Sequence, residues 1–107
     1  MNNIKNIFSA IPDDIPQELF EDILTTGSFK IERIVSKGHS SPKEFWYDQD
    51  KNEWIILLKS RAGLLFEGSD DIVELKSGDY INISSHLRHR VEWTDPDTET
   101  VWIAIMY

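Results

Sequence analysis

The sequence predicts a small all-β domain, an antiparallel sandwich or barrel, carrying one short N-terminal helix. Two observations predict the sheet part. From Ser28 onward, short apolar stretches return at intervals of roughly ten residues, separated by turn-forming residues. The first of them alternates with period two: Phe29, Ile31, Arg33 and Val35 against Lys30, Glu32, Ile34 and Ser36. A third observation predicts the helix. Leu19, Phe20, Ile23 and Leu24 fall on one stripe at helical spacing, with Asp13, Asp14 and Pro16 as start signals and Gly27 as a stop. Residues 1–27 are therefore expected to form an arm and helix packed on the barrel, and residues 28–107 the barrel itself, as one domain.

The remaining elements follow in order. The polar break Lys37-Gly38-His39-Ser40-Ser41-Pro42 ends the first strand. Glu44 to Tyr47 carries two bulky aromatics that favour a strand, and Asp48-Gln49-Asp50-Lys51-Asn52 has turn composition. Trp54 to Leu58 is continuously apolar, as a strand covered on both faces would be. Ala62 to Phe66, Ile72 to Leu75, Tyr80 to Ile83, His89 to Thr94 and Val101 to Tyr107 are further strands. Gly68-Ser69-Asp70-Asp71, Ser77-Gly78-Asp79 and Asp95-Pro96-Asp97 are turns. Rolling such a sheet up removes most of its exposed edges and leaves one end open for a ligand.

Composition narrows the function classes. The chain has 107 residues and no cysteine, so disulfides, thiolate metal sites and a cysteine nucleophile are excluded. Its formal net charge is −8, and its one dense basic patch, Arg88 and Arg90 beside His86 and His89, is too short for a nucleic-acid groove. The charge also argues against anionic membranes, and no apolar run is long enough to span a bilayer. The first residues, Met1 to Asn6, have no secretory character, so a cytoplasmic location is expected. No Gly-rich phosphate loop and no Gly-x-Ser-x-Gly elbow occurs.

Two stretches carry groups capable of chemistry. In the first, Tyr47 and Gln49 are two apart and share a face if the backbone is extended, and Glu53 begins the next strand after a short turn. A hairpin of this kind brings a phenol, an amide and a carboxylate to one end of the barrel. In the second, Gly78-Asp79 opens a strand and His89 follows a loop. Trp46 is expected in the pocket wall with Tyr47, and Trp54 and Trp102 in the core. Arg33, on an otherwise apolar face, is expected to project into the cavity and meet an anionic ligand. His39 lies in a loop from which it can reach the barrel mouth. Arg88 and Arg90 flank His89 and should point away from the pocket. On residue statistics alone, Glu53 is a solvated carboxylate and His89 a strand-end histidine satisfied by the backbone.

These two stretches resemble the paired motifs of the cupins, and the resemblance covers roughly Ser28 to Tyr107. The first cupin motif has two histidines two apart, then a glutamate, then a glycine. Here Tyr47 and Gln49 stand at the histidine positions, Glu53 at the glutamate and Ser60 at the glycine. In the second motif Gly78 and His89 stand at the expected spacing, with Ser84 and His86 where the loop often has Pro and Gly. The resemblance implies an antiparallel double-stranded β-helix, a jelly-roll barrel. It also implies a divalent ion (Mn, Fe, Zn or Ni) held by Gln49, Glu53 and His89, although only Glu53 and His89 keep the family's ligand types. Two functions follow as expectations. One is a metal-dependent enzyme of unassigned reaction. The other is a non-catalytic module that binds or senses a small sugar-like or acid-like molecule. Small cupins also commonly pair through an outer sheet face, so a homodimer is expected, with Val101, Ile103 and Ile105 in the contact.

Overall fold

A computed structural model describes residues 3–107. The strands are β1 (Leu19–Thr25), β2 (Lys30–Ser36), β3 (Glu53–Lys59), β4 (Arg61–Phe66), β5 (Val73–Lys76), β6 (Tyr80–Ile83), β7 (His89–Thr94) and β8 (Thr100–Met106). They form two antiparallel sheets, one in the order β1-β2-β8-β3-β6 and the other β5-β4-β7. Ile55, Leu57, Ala62, Leu64, Leu75, Ile83, Trp102 and Ala104 pack between the sheets as the core. Each large aliphatic side chain buried there contributes about 1.5–3 kcal/mol.

The expected N-terminal helix is absent; Leu19–Thr25 is an edge strand of the larger sheet, paired with β2. Its helical spacing has a local cause. The pairing jumps from Asp22↔Glu32 to Leu24↔Ile31, leaving Ile23 as the extra residue of a bulge. A bulge shifts the period-two pattern by one position, so apolar residues recur four apart in an extended chain. The turn that follows is fixed by Thr26, whose hydroxyl accepts the N–H groups of Ser28 and Phe29.

β2 is covered on both faces, and this reverses a second expectation. Arg33 does not enter the barrel. Its guanidinium turns outward and clasps the N-terminal arm, donating to the carbonyls of Ile7 (2.9 Å) and Ser9 (2.6 Å) and pairing with Glu21 at 2.6 Å. Arg33 is buried by these contacts. The inward face of β2 is the other phase, with Glu32 and Ile34.

The chain passes from one sheet to the other at Ser60, between β3 and β4. Ser60 has φ of 74°, and its buried hydroxyl has no partner among the described residues. Its backbone explains why glycine suits this position in the resembling motif. Gly78 meets a similar demand, with φ of 96° in the turn between β5 and β6. At Ser60, left-handed strain of about 1–2 kcal/mol and an unsatisfied hydroxyl of about 1–3 kcal/mol outweigh the ~1 kcal/mol of extra backbone entropy a glycine brings. Replacing Ser60 by glycine should therefore raise unfolding free energy by about 1–2 kcal/mol, measured by chemical denaturation; an unchanged or lowered midpoint contradicts the strain argument.

Candidate functional site

A cavity of about 190 Å³ lies between the two sheets. Alternation along four strands sends its lining inward: Glu32 and Ile34 from β2, Glu53 and Ile55 from β3, His89 and Val91 from β7, and Trp102 and Met106 from β8. Phe20 of β1, Leu64 of β4, Glu18 and the loop residues Tyr47 and Gln49 complete it.

The loop between β2 and β3 is pinned to the barrel by backbone bonds. The Tyr47 N–H donates to the His89 carbonyl at 2.7 Å, and the Tyr47 carbonyl accepts from the His89 N–H at 3.2 Å. This is an isolated bridge rather than the full strand expected for Glu44 to Tyr47. The His86 N–H donates to the Gln49 carbonyl at 2.8 Å. The exposed His86 ring meets Asp48 at 2.8 Å and Asp50 at 3.4 Å, so it sits at the rim and braces the loop from outside. The tyrosine ring stacks on the His89 imidazole with centroids 5.7 Å apart, and Phe66 approaches that imidazole at 6.2 Å.

At the centre of this arrangement His89 Nε2 faces Glu53 Oε1 at 3.2 Å, and Gln49 Nε2 faces the same oxygen at 3.3 Å. His89 Nδ1 lies 2.9 Å from the Leu87 carbonyl oxygen. Both partners of the ring are acceptors, an arrangement that favours a proton on each ring nitrogen. Burial alone would lower the affinity of His89 for its proton. The hydrogen bond to Glu53, the Leu87 carbonyl and the carboxylate charge overcome it, and the pKa lies above the ordinary value of 6.5. The stability this pairing contributes is complete below about pH 6.5 and is lost as pH rises through the raised folded value.

Two further carboxylates line the cavity, and both escaped the reading of the sequence. Burial raises the Glu32 pKa, opposed by Lys30 and assisted by the charges of Asp22 and Glu53. Burial likewise raises Glu18, against a hydrogen bond from the Ser36 hydroxyl and the nearby His39. The Tyr47 phenol is raised by burial and by the charges of Glu18, Glu53 and Glu32, so it stays neutral. The signal for Glu32 was available in part: it shares a strand phase with Ile34, the phase that proves to face inward.

Of the seven residues singled out from sequence, the cavity brings together four: Gln49, Glu53, His89 and Tyr47. Trp46 lies outside it, beneath the Arg90 guanidinium at 5.9 Å. Arg33 holds the arm, as described. His39 does not line the cavity; its Nδ1 accepts the Lys37 N–H at 2.8 Å, and it acts on Glu18 only through charge.

The donor set can be compared with what a divalent ion requires. Glu53 and His89 stand at 3.2 Å, within the roughly 3.0–3.4 Å expected of neighbouring ligands around an ion with bonds of ~2.1 Å. A third strong ligand is missing. Gln49 could offer only its amide oxygen, a weak donor, and Tyr47 is a neutral phenol. No group of three His, Cys, Asp or Glu is placed to hold an ion among the described residues. Two strong donors and one weak one are a poor fit for a resident metal.

This architecture is shared with solved structures. A protein from Ralstonia eutropha JMP134, described as a "putative mannose-6-phosphate isomerase", is 38% identical. The match covers 98% of this chain and 97% of that one, with a TM-score of 0.93. RmlC-like cupins from Desulfovibrio desulfuricans (16% identity, 99% and 97% covered, TM-score 0.74) and Methanocaldococcus jannaschii (15%, 90% and 84%, 0.70) share the fold. The chain belongs to the cupins. Its barrel is the double-stranded β-helix of that superfamily, whose members often bind divalent metals. No family model matches this cupin, and no curated protein does. Among the described residues, which form strands and loops, no helix is long and apolar enough to cross a membrane.

Proposed function

We propose that this cupin is a binding or sensing module for a small polar molecule, and that the inter-sheet cavity, rather than a resident metal ion, is its working element. One observation carries the reading. Gln49, Glu53, His89 and Tyr47, from two motifs far apart in sequence, converge on a single cavity of about 190 Å³. An apolar cavity of about 150 Å³ accepts benzene, so this one suits a ligand of roughly sugar size. Its lining combines an apolar body with a few fixed polar groups, the usual make-up of a small-molecule site.

The polar centre is built for holding rather than for proton transfer. The His89 imidazolium is engaged by two acceptors, and Glu53 Oε1 by two donors. A general acid or base needs a free lone pair or proton aimed at substrate. The divalent-metal reading of the family motif rests here on two strong donors only, and affinity for Mn, Fe, Zn or Ni should be correspondingly weak.

The outer face of the larger sheet supports a second partner, another copy of the chain. Trp54 and Ile56 of β3 lie beside Ile105 and Ile103 of β8, with Tyr80 of β6 beyond, forming an apolar strip only half buried in the monomer. Val101 is fully buried within the chain and takes no part in this strip. Homodimerisation would cover it.

Elemental analysis of protein purified without chelator should find far less than one equivalent of metal. Small polar metabolites should raise the thermal midpoint of wild-type protein but not of folded Glu53→Gln and His89→Asn variants. One equivalent of metal, lost in both variants, would overturn this reading. Sedimentation equilibrium should give a dimer at micromolar concentration; a monomer at high concentration removes the pairing.

A further inference from the structure

We propose that the cavity accepts a small organic cation, an amine of about sugar size, and turns away anions, phosphate esters included; the inference rests on the cavity being the ligand site. Charge carries the inference. Glu18, Glu32 and Glu53 line the cavity, and no lysine or arginine does. The one arginine whose strand position suggested an anion contact, Arg33, is spent on the N-terminal arm and Glu21. A phosphate there would meet three carboxylates and a single imidazolium already bonded to one of them. Phosphate sites are built from Arg, Lys or converging backbone N–H groups, and the lining offers neither of those side chains.

Glu32 is the group best placed to receive a cation. It is buried, and its carboxylate suffers the charge of Glu53 as well as desolvation. Its present partner is Lys30 Nζ at 3.5 Å, a side chain still 38% exposed, so the pairing is loose. An ammonium inside the cavity would bond to Glu32 from the buried side. Tyr47, Trp102 and Phe20 line the same cavity, so aromatic rings border the space the cation would occupy.

Calorimetric titration of the wild-type chain with glucosamine, glucose and mannose 6-phosphate near neutral pH tests this. Glucosamine should bind about tenfold tighter than glucose, the worth of one hydrogen bond to a charged group. Mannose 6-phosphate should bind weakest. In a Glu32→Gln variant, shown by circular dichroism to be folded, the advantage of glucosamine over glucose should disappear while glucose binding persists. Mannose 6-phosphate binding tightest would overturn the charge inference and leave the cavity as the ligand site. An amine preference that survives in Glu32→Gln would overturn the assignment to Glu32. Absence of binding by all three would overturn the inference together with the reading beneath it.

Discussion

The hydrogen-bonded pair of Glu53 and His89 is the constraint on which the rest of this site depends. The two residues lie on opposite sheets, Glu53 on β3 of the larger and His89 on β7 of the smaller, and both are buried. Their contact is therefore a polar tie across the barrel. Two charges in such a place are tolerable only because each neutralises the other and both have further partners. Gln49 supplies the second donor to the carboxylate, and the Leu87 carbonyl the second acceptor to the ring. Removing either charge would strand the other, at a cost of about 3–5 kcal/mol in comparable buried pairs.

The neighbouring structure follows from keeping this pair dry and aligned. Tyr47 exchanges backbone bonds with His89 and stacks on its ring, while Phe66 approaches from another side. The loop that carries Gln49 is anchored by its carbonyl to the His86 N–H. On the far side of β2, Arg33 fastens the arm to the sheet, which puts Glu18 and Phe20 at the cavity wall. Gln49, Glu53 and His89 thus satisfy one another, and the space beside them is lined by the additional carboxylates Glu18 and Glu32. On the proposed reading, specificity in this barrel would arise from charge and hydrogen-bond polarity in an enclosed volume.

Much of the barrel was legible because strand rhythm and turn residues agree: Gly78-Asp79 and Asp95-Pro96-Asp97 mark real turns, although β3, expected to be covered on both faces, is buried on one and half buried on the other. The convergence of Gln49, Glu53 and His89 was legible from motif spacing. What failed shares a physical cause. The bulge at Ile23 disguised a strand as a helix, because one unpaired residue converts period two into a spacing of four. β2 is covered by the core on one face and by the N-terminal arm on the other, so the more apolar phase was not the inward one. Arg33 was consequently assigned to the cavity and Glu32 overlooked. Trp102 was rightly placed in the core, but an unpartnered indole N–H is a property of packing that no sequence pattern reports.

Charge on the buried imidazole is the claim beneath all of this, and it can be observed directly. Nuclear magnetic resonance titration of the His89 ring should show both nitrogens protonated at neutral pH and a midpoint above 6.5. In a Glu53→Gln variant the midpoint should fall, because burial then acts without its opposing carboxylate. A wild-type ring that is neutral at pH 7, or a midpoint indifferent to the loss of Glu53, would contradict the account.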